Sequence, residues 1–318
     1  MFAMASPSLT GVDNVGIARL ARPLSFKPPR LSKPTTTQVP QGFSLGSHNP
    51  AKIWALAPGV CFLIRGTPFT EATKKSGSSC PDFPAWERLN TCDNPHMASK
   101  PILLSWSGGK DSAWALHLLQ QQKDYEVVGL LTTINQHFGR VAMHGFRESL
   151  LDLQSAATGI PLWKVPLPWP CSNEVYEAAM AAACARAVEE DLHGIAFGDL
   201  FLEDIRSYRI TKLAPTGLTP IFPCWQIPTD QLARDMIASG LRTHLTCIDP
   251  RHLDRSFAGR EFTSQLLADL PPSVDPCGER GEFHTFVSAG PMFSSSIKLT
   301  VGETVDRDGF TYADLLPA

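Results

Sequence analysis

From residue 100 onward, short apolar runs alternate with longer stretches in which apolar residues recur every three to four positions. The runs 101–105, 126–132, 162–166, 194–198, 219–222 and 243–248 read as strands. The stretches 111–122, 146–158, 174–191, 203–213, 229–239 and 260–269 read as helices. Strands separated by helices of about ten or more residues form βαβ units, whose crossovers cover both faces of a parallel sheet. After about residue 275 the helical spacing gives way to strand-like runs at 282–288 and 296–301. The pattern therefore predicts an α/β fold: a doubly wound, mostly parallel sheet with a small C-terminal α+β section. No internal repeat is present.

The first 97 residues follow neither period for long. They hold about a dozen of the 27 prolines, and residues 1–50 carry Arg19, Arg22, Lys27, Arg30 and Lys33 against a single acid, Asp13. Two readings fit: an organelle transit peptide, or a disordered leader upstream of a true start at Met97, which directly precedes the first strand. We favour the leader. The expected division is then 1–97 leader, a domain over 98–248 that carries the parallel sheet, and a C-terminal section over 249–318, with no further C-terminal domain.

Composition narrows the function classes. Lys and Arg number 28 against 31 acids, a formal charge of -3, so nothing marks an extended nucleic-acid surface. The eight cysteines are scattered without a CxxC pair, which argues against a metal framework and for thiols in a reducing compartment, the cytoplasm by expectation or an organelle if the leader is a transit peptide. No apolar run approaches the roughly 20 residues of a membrane span.

One junction carries chemistry. In ILLSWSGGKDSAWALHLL, residues 102–119, a strand hands over to a helix within Ser107-Gly108-Gly109-Lys110-Asp111-Ser112. Glycines let the backbone turn tightly beside a ligand, the helix start points N–H groups at the turn, and Lys110 adds a full charge. Together they make a phosphate site at the carboxyl end of a parallel strand, where open α/β sheets bind ligands. The spacings G-x-x-x-x-G-K-[ST] and G-x-G-x-x-G are both absent.

The SGGKDS loop resembles that of the N-type ATP pyrophosphatases, which implies a Rossmann-like, HUP-type PP-loop domain and cleavage between the α and β phosphates of ATP. Three further stretches, MHGFRESLLDLQSAATGIPL (143–162), FGDLFLEDIRSYR (197–209) and DPCGERGEFHTFVSAGPMF (275–293), resemble in this order the diphthine–ammonia ligase family. The resemblance covers residues 101 to about 293. It implies adenylation of a carboxylate and its amidation by ammonia, with ATP and Mg²⁺ required; that family's reaction modifies a histidine of elongation factor 2. Arg280 departs from the neutral or small residue more usual in the family and bears on the acceptor.

Candidate residues follow from both readings. Lys110, Asp111, Asp199, Glu279 and Glu282 are the catalytic candidates, Asp199 because it ends a strand beside Gly198, Glu279 and Glu282 because Gly278 and Gly281 flex an acidic turn. Nucleotide contacts are expected from Ser105, Ser107, Gly108, Gly109, Lys110, Asp111, Ser112 and Thr132, with adenine near Leu131 to Thr133 and Mg²⁺ on Asp111. Acceptor contacts are expected from His144, Arg147, Glu203, Asp204, Arg206, Arg209 and His284. Two other functions remain open: tRNA modification by the same adenylation, disfavoured by the missing CxxC pairs and basic tract, and an ATP-sensing module without turnover, disfavoured by the retained acids.

Overall fold

The computed structural model describes residues 99–318. Met97 and the expected leader or transit segment lie outside the described residues. The first strand, β1 (Lys100–Ser105), runs parallel to β2 (Tyr125–Asn135) on one side and to β5 (Gly194–Ala196) on the other. Beyond β5 lies β6 (Thr219–Ile221), also parallel. The long β2 continues past β1, and its residues 130–135 pair in parallel with β4 (Leu162–Leu167). A two-residue strand, β3 (Arg140–Val141), folds back antiparallel onto Ile134 and Asn135. The chain thus grows outward from β1 first toward β2 and β4, then toward β5 and β6, and the direction of growth reverses between β1 and β5. That reversal is the place where an open α/β sheet leaves a crevice for ligand.

Successive side chains of a strand point to opposite faces. In β1, Ile102 and Leu104 enter one core with α1 (Lys110–Gln121) and α2 (Glu148–Thr158), whereas Leu103 enters the other with α3 (Asn173–Glu189) and α4 (Glu203–Leu213). All three strand residues are fully buried, as a central strand covered on both faces requires. Helix ends follow local chemistry. Ser172 caps α3 by accepting the Val175 N–H at 3.4 Å, and Gly159 ends α2 in the left-handed conformation that a residue with a Cβ resists. The next helix, α5 (Thr229–Ala238), buries Leu232, Ala233 and Met236 on one face.

A second, antiparallel sheet has the order β8-β7-β10-β9, built from β7 (Arg242–Ile248), β8 (Phe283–Ala289), β9 (Leu299–Arg307) and β10 (Phe310–Pro317). Three sequence expectations change here. The run at 243–248, expected among the strands of the parallel sheet, pairs antiparallel with β8 and β10; a short apolar run does not disclose the direction of its partner. The helix expected over 260–269 is α6 (Ser264–Asp269) alone, because residues 260–262 pair with β7 instead, through Leu245 N–H to Arg260 C=O at 2.9 Å and Phe262 N–H to Thr243 C=O at 2.7 Å. The final strand, β10, was not anticipated. Its signal was the Asp308-Gly309 pair, which adopts positive φ at both residues and turns β9 into β10.

One buried side chain ties both sheets to the glycine loop. Gln154 of α2 is fully buried and donates to the carbonyls of Gly108 at 2.9 Å and Val287 at 2.8 Å, while it accepts the Trp106 indole N–H at 3.0 Å. Replacing it with leucine keeps the volume, strands the Trp106 indole N–H and takes one bond each from the Val287 and Gly108 carbonyls, of which Gly108 C=O keeps the Val287 N–H, at a cost of about 1–3 kcal/mol. Urea denaturation of Gln154→Leu measures this; a loss below about 0.5 kcal/mol would show that the junction does not depend on the carboxamide.

Candidate active site

The loop after β1 is shaped by contacts that leave no room for larger residues. Gly108 sits at φ +75, and a Cβ there would lie 2.5 Å from the Phe146 ring; a Cβ on Gly109 would lie 2.7 Å from the His144 ring. Within the loop, Gly109 N–H donates to the Ser107 hydroxyl at 3.3 Å, and the Ser112 hydroxyl donates to Gly109 C=O at 3.0 Å. The second sheet closes the loop from above. Val287 N–H donates to Gly108 C=O at 3.0 Å, and Lys110 N–H donates to the Thr285 hydroxyl at 3.0 Å.

These constraints frame a polar cavity of about 130 Å³ at the β1/β5 crevice. Of the residues expected from sequence, Ser105, Ser107, Lys110, Asp111, Ser112, His144, Asp199, Arg209, Glu279 and His284 line it. The Lys110 ammonium is 2% exposed and contacts both Asp111 oxygens, at 2.8 and 3.0 Å, and the Cys277 carbonyl. Burial works against its charge, but the Asp111 carboxylate more than compensates and holds the ammonium above its ordinary range. Across the cavity, Arg209 grips Asp199 with two bonds of 2.5 and 2.9 Å and stacks on Phe197 at 4.3 Å. Glu279 reaches over from the acidic turn and accepts the Leu200 N–H at 2.9 Å, joining the turn to the loop after β5.

Burial, reinforced by the nearby Asp111 charge, pushes the Glu279 carboxyl up to about 8. Burial also lowers His144 to about 4, although its Nδ1–H donates to Thr285 C=O at 2.8 Å, so the ring is neutral. His284 is held well below its ordinary value by burial and then by His144 and Lys110, and the two rings lie 4.9 Å apart. The His284 Nε2 is buried without a hydrogen-bond partner. The cavity therefore combines a fixed ammonium, a carboxyl that titrates near neutrality and a neutral imidazole with free hydrogen-bonding capacity.

The other expected residues lie elsewhere. Gly108 and Gly109 shape the loop without lining the cavity. The Thr132 hydroxyl donates to Trp106 C=O at 2.7 Å, and Leu131 to Thr133 are buried at the end of β2. Glu282 is 1% exposed and spends both oxygens inside the acidic turn, accepting Asp275 N–H and Arg280 N–H at 2.9 Å each. Arg147 pairs with Asp314, away from the cavity. Glu203 and Arg206 form a surface pair at 3.5 Å, Asp204 accepts the Ile205 N–H within the first turn of α4, and Arg206 stacks on Trp225 and Phe222. Sequence reasoning missed Gln154, Thr285 and Met143. Gln154 left one signal, a polar residue on the apolar face of a helix; the other two left none.

A carboxyl whose folded pKa exceeds its unfolded value binds its proton more tightly in the folded chain, so its stabilising contribution is complete at low pH and is lost as pH rises. For Glu279 the window runs from 4.5 to about 8. Glu279→Gln keeps an acceptor for Leu200 N–H and removes the titration. Its thermal midpoint should gain on the parent chain steadily between pH 5 and pH 8; parallel midpoint curves would contradict the assignment.

Known proteins match both parts of the described chain. A family model described as the diphthamide synthase N-terminal domain matches residues 100–214, and one described as the diphthamide synthase C-terminal domain matches 228–313. The diphthine–ammonia ligase of Danio rerio is 31% identical over 239 residues, covering 65% of this chain and 89% of that protein. The diphthine–ammonia ligase of Schizosaccharomyces pombe is 34% identical over 95 residues, covering 29% of this chain and 16% of the yeast protein. That of Mus musculus is 28% identical over 182 residues, covering 51% of this chain and 67% of the mouse protein. With the glycine loop, the Gly-Asp strand end and the acidic turn all falling within these matches, the chain belongs to the diphthine–ammonia ligase family.

Proposed function

We propose that the chain is an ATP-dependent, AMP-forming ligase that adenylates an acceptor carboxylate and amidates it with ammonia. One observation carries this reading: Lys110 of the glycine loop, Asp199 at the end of β5 and Glu279 of the acidic turn face one cavity at the crevice of the parallel sheet. The names of its relatives support the same reaction class.

In this reading the β and γ phosphates of ATP lie against Ser107, Ser112 and Lys110, at the start of α1. A carboxylate oxygen of the acceptor bonds to the α phosphorus as the α–β P–O bond breaks, and Lys110 stabilises the charge on departing pyrophosphate. Ammonia then bonds to the acyl carbon and AMP leaves. Glu279, titrating near neutral pH, is suited to take the proton that the incoming nitrogen releases. Arg209 keeps Asp199 oriented at the cavity wall.

Asp111, with Glu279 nearby, would hold Mg²⁺, which would supply positive charge to offset that of the phosphates. Burial and then the Asp111 charge raise the Glu279 carboxyl, and burial raises that of Asp111 with Asp275 adding to it, an arrangement that favours a cation. No cluster of three ligating side chains exists among the described residues, so phosphate oxygens and water would supply the remaining positions. We place the chain in the cytoplasm with a protein acceptor such as elongation factor 2. The five described cysteines are all unpaired, consistent with a reducing compartment, and no described helix is long and apolar enough to cross a membrane.

Incubation with ATP, Mg²⁺, ammonium and acceptor should release AMP and pyrophosphate in equal amounts; ADP as product would contradict the reading. Lys110→Ala should lower AMP formation by about 100- to 1000-fold, the effect of removing one preorganised charge from a transferring group. Unchanged AMP formation in that variant would overturn the site assignment.

A further inference from the structure

Polar atoms buried away from water nearly always have a partner within the fold, so an orphan marks a place shaped for something else. One such atom belongs to the catalytic cavity. His284 Nε2 is buried without a hydrogen-bond partner among the described residues, and its ring lines the wall together with Lys110 and Glu279. The ring is fixed from two directions. Its own strand, β8, pairs with β7 at Cys247, and the Thr246 hydroxyl donates to His284 C=O at 3.3 Å. Beside it the His144 ring lies 4.9 Å away at 48°. His144 is itself anchored, by Nδ1–H to Thr285 C=O at 2.8 Å and by a tight turn in which its N–H donates to Ala142 C=O at 2.8 Å and Gly145 N–H to Val141 C=O at 3.0 Å. Met143 in this turn holds φ 64, a conformation that a residue with a Cβ resists and the surrounding structure imposes. The two rings are thus held together while one nitrogen stays unanswered.

We propose that this side of the cavity is the ammonia site of the ligase, with His284 Nε2 accepting one N–H of the neutral nitrogen. Ammonia has three N–H donors and one lone pair, so holding it ready to react means satisfying hydrogens and leaving the lone pair free. The acceptor nitrogen of a neutral imidazole does this. The unreactive ammonium ion is rejected by the same surroundings. Burial first, with the Lys110 charge adding to it, disfavours a proton on either ring, and both act against a second cation beside them. From this position the nitrogen lone pair bonds to the acyl carbon. The bond from that carbon to the AMP oxygen breaks, its electron pair leaves on AMP, and one nitrogen proton passes to Glu279 as in the proposed reaction. That the bound nitrogen is the one that reacts rests on the ligase reading; binding of ammonia at His284 does not.

Two measurements on the full chain test this. In the first, AMP formation from ATP, Mg²⁺ and diphthine-bearing elongation factor 2 is followed against ammonium chloride. His284→Leu keeps a side chain of similar bulk without an acceptor. It should raise KM for ammonium about tenfold, the loss of one hydrogen bond, and shift KM for ATP by less than about twofold. His284→Gln, whose carbonyl oxygen can stand in for Nε2, should recover most of that loss. Equal KM for ammonium in the parent chain and His284→Leu, or a rise in KM for ATP as large as that for ammonium, would overturn the proposal. The second measurement needs no turnover. In the chain labelled with ¹⁵N-histidine, the His284 Nε2 resonance should move on titration with ammonium chloride in alkaline buffer and not with potassium chloride at equal ionic strength. A resonance that stays still overturns the proposal, and with AMP still formed it leaves the ligase reading standing. A resonance that moves in a chain that forms no AMP retires the ligase reading and keeps the site.

Discussion

The carboxamide of Gln154 is the junction on which the site depends. A buried amide has two donors and an acceptor, and every one of these is used: for Gly108 C=O in the loop, Val287 C=O in the second sheet and the Trp106 indole. An unmatched polar group in this position would cost more than the bonds contribute, so the geometry is held tightly. Gly108 can occupy its left-handed turn only because it lacks a Cβ, and the atoms that exclude a Cβ are those of Phe146 and Gln154 themselves. Loop, helix α2 and strand β8 therefore form one unit. Thr285, two residues before Val287 on β8, adds a bond to the Lys110 N–H.

Because that junction seats the second sheet over the crevice, Lys110 is enclosed. Its ammonium would be expensive to bury alone, and the Asp111 carboxylate and Cys277 carbonyl make it tolerable. The same enclosure explains the displaced carboxyl of Glu279 and the neutral rings of His144 and His284, each shifted first of all by loss of water. A phosphate-bearing ligand would enter a pocket whose positive charge is already fixed in place and whose acid titrates near neutrality.

The acidic turn shows how similar residues divide their labour. Glu279 and Glu282 are three positions apart and looked equally available. Glu282 closes the turn on itself through two backbone N–H groups, and Asp275 adds two more bonds, to Cys277 and Glu279. With the turn rigid, Glu279 projects into the cavity. Arg206 and Arg209 divide similarly: one turn of α4 apart, the first stacks on Trp225 at the surface and the second is 10% exposed against Asp199.

Much of this molecule was written locally. Apolar runs of strand length, separated by helical spacing, determined the parallel sheet, because periodicity reports which face of an element is buried. The Ser-Gly-Gly-Lys-Asp-Ser stretch determined the tight glycine loop between strand and helix and the lysine it carries, because turn, helix start and charge are all properties of contiguous residues. The tertiary structure alone decided the rest. It moved 242–248 into an antiparallel sheet, turned Arg147 away toward Asp314, closed Glu282 into its own turn, and brought Thr285 and Gln154 to the loop from 175 and 46 residues away. Partner choice across such separations depends on where whole elements pack, and no pattern in a single stretch of chain carries that information.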